Sequence, residues 1–158
     1  MGYAQGTGVS VDQSKGELKR VIYKYGASNY KYGEEDDRAM VMFSKNDRIV
    51  RFVITFPPPD SKQFTHTAGR HTERTQAAAY KEYEAEQRRR WRALILAIKA
   101  KFEVVESGIA SFEEEFLSYI LLPNSLTVGQ VALPGIDEAY RKGKGKLDIK
   151  LIPDVSYE

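Results

Sequence analysis

At 158 residues, with 24 basic and 22 acidic side chains and a formal charge of +2, the chain has the length of one ordinary domain able to bury a core without staples. A hydrophobic content of 42% and a charged content of 29% exclude a largely disordered or fibrous chain. The absence of cysteine excludes a disulfide framework, a thiolate zinc site and a cysteine nucleophile, and it agrees with a reducing compartment.

Residues 1–13, MGYAQGTGVSVDQ, are Gly-rich and polar and read as a mobile leader. Ser14 and Glu17 have capping-box spacing, and Leu18, Val21, Ile22 and Tyr25 follow at helical spacing. Gly26 stands where a left-handed helix cap needs glycine, so a helix is expected over about residues 15–25. The period then changes to two. Ser28–Gly33, Arg38–Phe43 and Arg48–Phe56 read as three strands of an antiparallel meander, with a Lys45-Asn46-Asp47 turn between the last two. In the third, Val50, Phe52, Ile54 and Phe56 face the core, and Pro57, Pro58 and Pro59 end it.

Residues 57–74 read as a long polar loop holding both histidines. A long amphipathic helix is expected from Thr75 to Ser107, its apolar stripe formed by Tyr80, Trp91, Leu94, Ile95, Ile98, Phe102 and Val105. Gly108 stops it, and Ser111 with Glu114 caps a short helix carrying Phe112 and Phe116. Thr127–Val131 and Gly135–Lys142 read as two short helical pieces, and residues 143–158 as a basic tail offering an edge strand through Leu147, Ile149 and Leu151. The expected fold is therefore α+β and two-layered: one domain over residues 14–142, its sheet covered by helices on one face.

No active site emerges from this order. The basic run Arg88-Arg89-Arg90-Trp91-Arg92 lies on the long helix, where Lys81, Arg88, Arg92 and Lys99 fall on one ridge. Such a ridge suits a phosphate backbone. The same residues also fit a solvated face, with i,i+4 pairs Glu84–Arg88, Glu86–Arg90 and Lys99–Glu103. Tyr30, Tyr32, Arg51 and Thr55 are expected on the sheet's uncovered face, a stacking platform for unpaired bases, unless the tyrosines pack on the helices instead. His66 and His71 offer two imidazoles but no complete metal set. The acidic groups Glu34–Asp37 and Glu113–Glu115 read as a turn and a helix start. No catalytic residue, cofactor or metal is expected.

The run Arg90-Trp91-Arg92-Ala93-Leu94, Ile98-Lys99-Ala100-Lys101, Val105-Glu106-Ser107-Gly108-Ile109, Phe112-Glu113 and Glu115-Phe116-Leu117, with Tyr25-Gly26-Ala27 before it, resembles a family of uncharacterised proteins of bacteriophages, prophages and other mobile elements. The resemblance spans about residues 14–142 and implies a phage or mobile-element setting, with no family activity to carry over. The element order is also similar to that of double-stranded-RNA-binding domains. Gln76-Ala77-Ala78-Ala79 stands where their lysine-rich signature would be, and fold order does not give function.

The longest strictly apolar run, the six residues Ala93–Ile98, is far short of the roughly 20 that span a bilayer. No basic start followed by an apolar stretch opens the chain, so a cytoplasmic protein without a membrane partner is expected. The leading functional expectation is an accessory protein binding nucleic acid, single strands favoured, through Arg88, Arg92, Lys99, Lys81, Tyr30, Tyr32 and Arg51. The alternative is a protein-interaction module directed at a host or phage protein: a host-directed inhibitor, a counter-defence factor or an assembly subunit. Ten tyrosines against seven phenylalanines serve both, because tyrosine packs with its ring and bonds with its tip.

Overall fold

The computed structural model describes residue 4 and residues 6–143. Helix α1 (Val11–Lys24) leads into strands β1 (Ser28–Glu35), β2 (Arg38–Lys45) and β3 (Arg48–Thr55). A single-turn helix α2 (Lys62–Thr65), the long α3 (Gln76–Glu106), a short α4 (Phe112–Glu115), a 3-10 turn (Leu117–Tyr119) and α5 (Val128–Lys142) follow. The fold is α+β, with an open antiparallel sheet in the order β1-β2-β3. The suggested edge strand through Leu147, Ile149 and Leu151 lies outside the described residues.

Helix α1 begins a turn earlier than its expected start. Two capping patterns overlap, and Ser10 with Gln13 forms the box while Ser14 and Glu17 do not. The earlier cap lengthens the helix by one turn and frees Ser14, a small side chain, to be wholly buried. The leader is not wholly detached either: Ala4 is buried. Tyr25 stacks on Phe102 of α3 at 4.8 Å between ring centroids, and Gly26 takes the left-handed conformation at φ 75°.

The alternation of β2 and β3 decides which face is core. Ala39 pairs with Ile54, Val41 with Phe52 and Phe43 with Val50. All six are buried under α1 and α3 with Trp91, Ile95, Ile98 and Phe102. Phe112 and Phe116 close the core at one end, their rings 4.6 Å apart. Complete burial of one such ring contributes roughly 1.5–3 kcal/mol.

Helix α3 is longer than the sheet it covers. Its 31 residues span about 46 Å, against about 26 Å for an eight-residue strand. The N-terminal half overhangs and finds another partner: Phe64 of α2 is buried and meets Tyr83 edge-on at 5.5 Å. Tyr80, expected in the apolar stripe, is therefore 59% exposed. The loop over residues 57–74 is correspondingly less open than its polarity suggests.

After the 3-10 turn, Ile120 bridges to Val50 and the Leu121 amide donates to the Ile49 carbonyl at 2.7 Å. This hands the chain across the edge of β3. The two expected helical pieces are one helix, α5, which runs through Pro134. Proline in a helix interior removes a backbone bond. Here a Thr127–Gln130 capping box at one end and a left-handed Gly143 at the other support the helix. No helix among the described residues is long and apolar enough to cross a membrane.

Candidate functional site

The structure does not bring the expected nucleic-acid residues together. Tyr32 pairs with Val41, so it faces the helices and meets Trp91 edge-on at 6.2 Å. Its hydroxyl donates to Glu34 at 2.5 Å and accepts from the Lys15 ammonium at 2.9 Å. Lys15 also pairs with Glu34 at 3.0 Å. Partial burial acts to lower the Lys15 pKa, but the bonds to Tyr32 and Glu34 outweigh it and raise the group above its ordinary value. Glu34 is held below the usual carboxylate range, first by the Tyr32 hydroxyl and then, against burial, by Lys15. Tyr30 lies within an irregularity of the β1 register and packs against the core, where burial raises the pKa of its phenol. The tyrosines close the edge between sheet and helices.

Arg51 lies on the opposite face, in a row with Met42 and Lys31. A platform joining it to the tyrosines is ruled out by register, because a strand's side chains alternate faces.

The ridge is likewise divided. Glu17 of α1 accepts from Arg92 at 2.5 Å and from Lys99 at 2.6 Å. The Lys99 bond, and after opposing burial the Arg92 bond, lowers the Glu17 pKa. Two of the four cations thus tie α3 to α1. Of the expected i,i+4 pairs, Glu86–Arg90 forms at 2.6 Å. Lys99 turns to Glu17 rather than Glu103, which accepts from the Tyr25 hydroxyl. Arg88, half-buried, and Lys81, exposed, have no carboxylate partner among the described residues.

The open surface is the uncovered sheet face and the helix beside it. Met40 and Met42 are half-buried there, and Ile49 and Val53 are 44% and 53% exposed. Gly33 sits opposite Met40, and a Cβ at that position would still lie 3.9 Å from the methionine's terminal carbon. The missing side chain leaves a depression of about 570 Å³, lined by Gly33, Met40, Val53, Glu35, Arg38 and Arg51, with Gln130 of α5.

Gln130 ties α5 to this face. Its Oε1 accepts from the Thr127 amide and from Arg51 Nη2, each at 2.9 Å. The Arg51 Nε is buried with no partner, an orphaned donor of the kind that costs about 1–3 kcal/mol. At Gly129 a Cβ would come within 2.9 Å of the Ser118 carbonyl oxygen, so only glycine allows this close seat on the 3-10 turn. Beyond the seat, α5 has no buried residue, and Leu133 and Tyr140 are 57% and 85% exposed.

Compared with protein-family models, with curated proteins and with solved structures, the chain matches none. The site therefore rests on its own chemistry. Among the described residues no three His, Asp or Glu side chains converge as a metal site would require. The sequence placed Arg51 on the uncovered face, but it gave no place in a site to Met40, Met42, Gly33 or the two helical pieces that make α5. The available signals were the T-x-x-Q spacing of Thr127 and Gln130 and the apolar period of Val128, Val131, Ala132, Ile136 and Ala139.

Proposed function

We propose that the protein is an interaction module that docks another protein on its uncovered sheet face and α5. The carrying observation is that this helix leaves Leu133 and Tyr140 exposed and its apolar side only half-buried, beside a sheet face presenting Ile49, Val53 and two methionines. Apolar side chains exposed on a sheet face and on a neighbouring helix are a feature of interaction surfaces, and methionine adapts to a partner's shape. The partner presents an apolar side chain to the depression at Gly33, Met40 and Val53. It also presents a carbonyl or carboxylate to the guanidinium of Arg51, which lines the same depression. In the phage or mobile-element setting that the resemblance implies, the partner is a host protein or an assembly component.

The test compares complexes recovered with the wild-type chain and with Gly33→Leu and Val53→Asp/Leu133→Asp variants. Both fill or charge the face without touching the core, and both are expected to lose the partner while keeping the wild-type unfolding midpoint. Retention of the same partner by both variants removes this reading.

Nucleic-acid binding is a second reading, supported by Lys81 and Arg88, which no carboxylate neutralises among the described residues. It predicts binding to labelled single strands that weakens with salt and fails in Lys81→Glu/Arg88→Glu.

A further inference from the structure

We infer that the loop joining α2 to α3 forms a binding site for an isolated phosphoryl group, independent of the docking face. A depression of about 470 Å³ there is lined by Lys62, Gln63, His66, Thr67, His71 and Arg74, together with Ala68. Its volume falls in the range of small-molecule sites. Every charged or titratable side chain in that lining is a cation or an imidazole, and no carboxylate is among them.

The chain holds these groups in place. The Thr67 amide donates to the Thr72 carbonyl at 2.9 Å, and the Thr72 amide returns a bond to Thr67 Oγ1 at 3.0 Å. His66 pairs with Glu73 through an isolated bridge, which closes the base of the loop. His66 Nδ1 lies 2.8 Å from Thr65 Oγ1, leaving Nε2 as the ring's other polar atom. Arg74 is the anchor: its Nη1 donates to the carbonyls of Gln63, Phe64 and His66, the last at 2.6 Å. That grip fixes a permanent positive charge in the wall of the depression. The nearest acidic contact is loose, Arg74 Nη2 to Glu82 at 3.9 Å.

Lys62 and His71 form no hydrogen bond or ion pair with another side chain among the described residues, and both are exposed. His71 takes the left-handed conformation at φ 51°, and its amide donates to the Thr67 carbonyl at 3.1 Å, closing the turn. Two exposed donors lining the same depression as a held guanidinium suit an anion with several acceptor oxygens, since charge-assisted bonds are the strong ones. A concave pocket, rather than a stripe of cations along an element, fits a phosphomonoester or free phosphate better than a polymer backbone.

The experiment is a 1H–15N correlation titration of the full chain with inorganic phosphate, with phosphoserine and with a nucleoside 5′-monophosphate. Saturable shifts confined to residues 62–74 are expected with inorganic phosphate. The two monoesters then separate a bare phosphate site from one that also reads the group attached. Lys62→Ala/His71→Ala, at exposed positions, is expected to weaken binding about tenfold or more, as loss of a charge-assisted bond does. Arg74→Ala is the weaker test because it also releases the loop; Arg74→Lys keeps a charge and controls for that. Absence of saturable shifts, or equal shifts in the Lys62/His71 double variant, each overturns the proposal.

Discussion

Replacing Glu17 by Gln separates the two accounts of the basic ridge. Glu17 accepts from both Arg92 and Lys99, and its side chain and that of Arg92 are each about three-quarters covered, at 24% and 23% exposure. Fully exposed ion pairs contribute roughly 0.2–1 kcal/mol, and breaking a buried one costs about 3–5 kcal/mol. A shared, partly covered carboxylate falls between, so Glu17→Gln is expected to cost about 1–2 kcal/mol. With a urea dependence of about 2 kcal/mol per molar, the midpoint drops by about 0.5–1 M. The pH dependence has a definite sign. Because Lys99 and Arg92 depress the folded-state pKa of Glu17 below its ordinary 4.5, its contribution is present above that value and fades as pH falls through the lower folded one. The gap between wild type and Glu17→Gln should therefore be full at pH 7 and shrink under acid conditions. A double-mutant cycle with Arg92→Ala isolates the coupling. Additive effects at pH 7, or a gap that persists unchanged into acid, would refute the assignment of Arg92 and Lys99 to the helix–helix contact.

Other variants probe the packing. Trp91→Ala removes a fully buried ring from beneath α3 and is expected to cost about 3–5 kcal/mol by chemical denaturation. Ser10→Ala removes the acceptor for the Gln13 amide and should cost about 1 kcal/mol, whereas Ser14→Ala, deleting a buried hydroxyl without a partner, should be neutral or stabilising. Gly129→Ala drives a Cβ to 2.9 Å from the Ser118 carbonyl; hydrogen exchange should show α5 loosened while the β2–β3 ladder keeps its protection.

Much of this fold is legible in local pattern. The alternation of Val50, Phe52 and Ile54 orients β3, and the S-x-x-E at Ser111 and the glycine at position 26 mark helix ends where they occur. Each signal is complete within a few residues. What escapes local reading depends on partners distant in sequence. Tyr32 faces the helices because β1 pairs with β2 in one register rather than its neighbour, and a one-residue slip would reverse the face. Lys99 has an acceptor four residues away in Glu103, yet it chooses Glu17 from another helix. Ser10 and Ser14 both satisfy the capping pattern, but Ser10 makes the cap and Ser14 is wholly buried within the helix. Pro134 divides α5 on paper, but support at both helix ends carries the chain through. The uncovered face was legible for Arg51 and Val53, whose parity in β3 is plain. The depression beside them was not, because it needs Gly33 from β1 and Gln130 from α5.

The most direct measurement is recovery of complexes from cells of the natural host, with nuclease treatment, using wild type, Val53→Asp/Leu133→Asp and Lys81→Glu/Arg88→Glu. A protein docked on the uncovered sheet face and α5 should survive nuclease, disappear with the first variant and remain with the second. A nuclease-sensitive complex that survives the first variant and is lost with the second would contradict the account and return the function to nucleic acid.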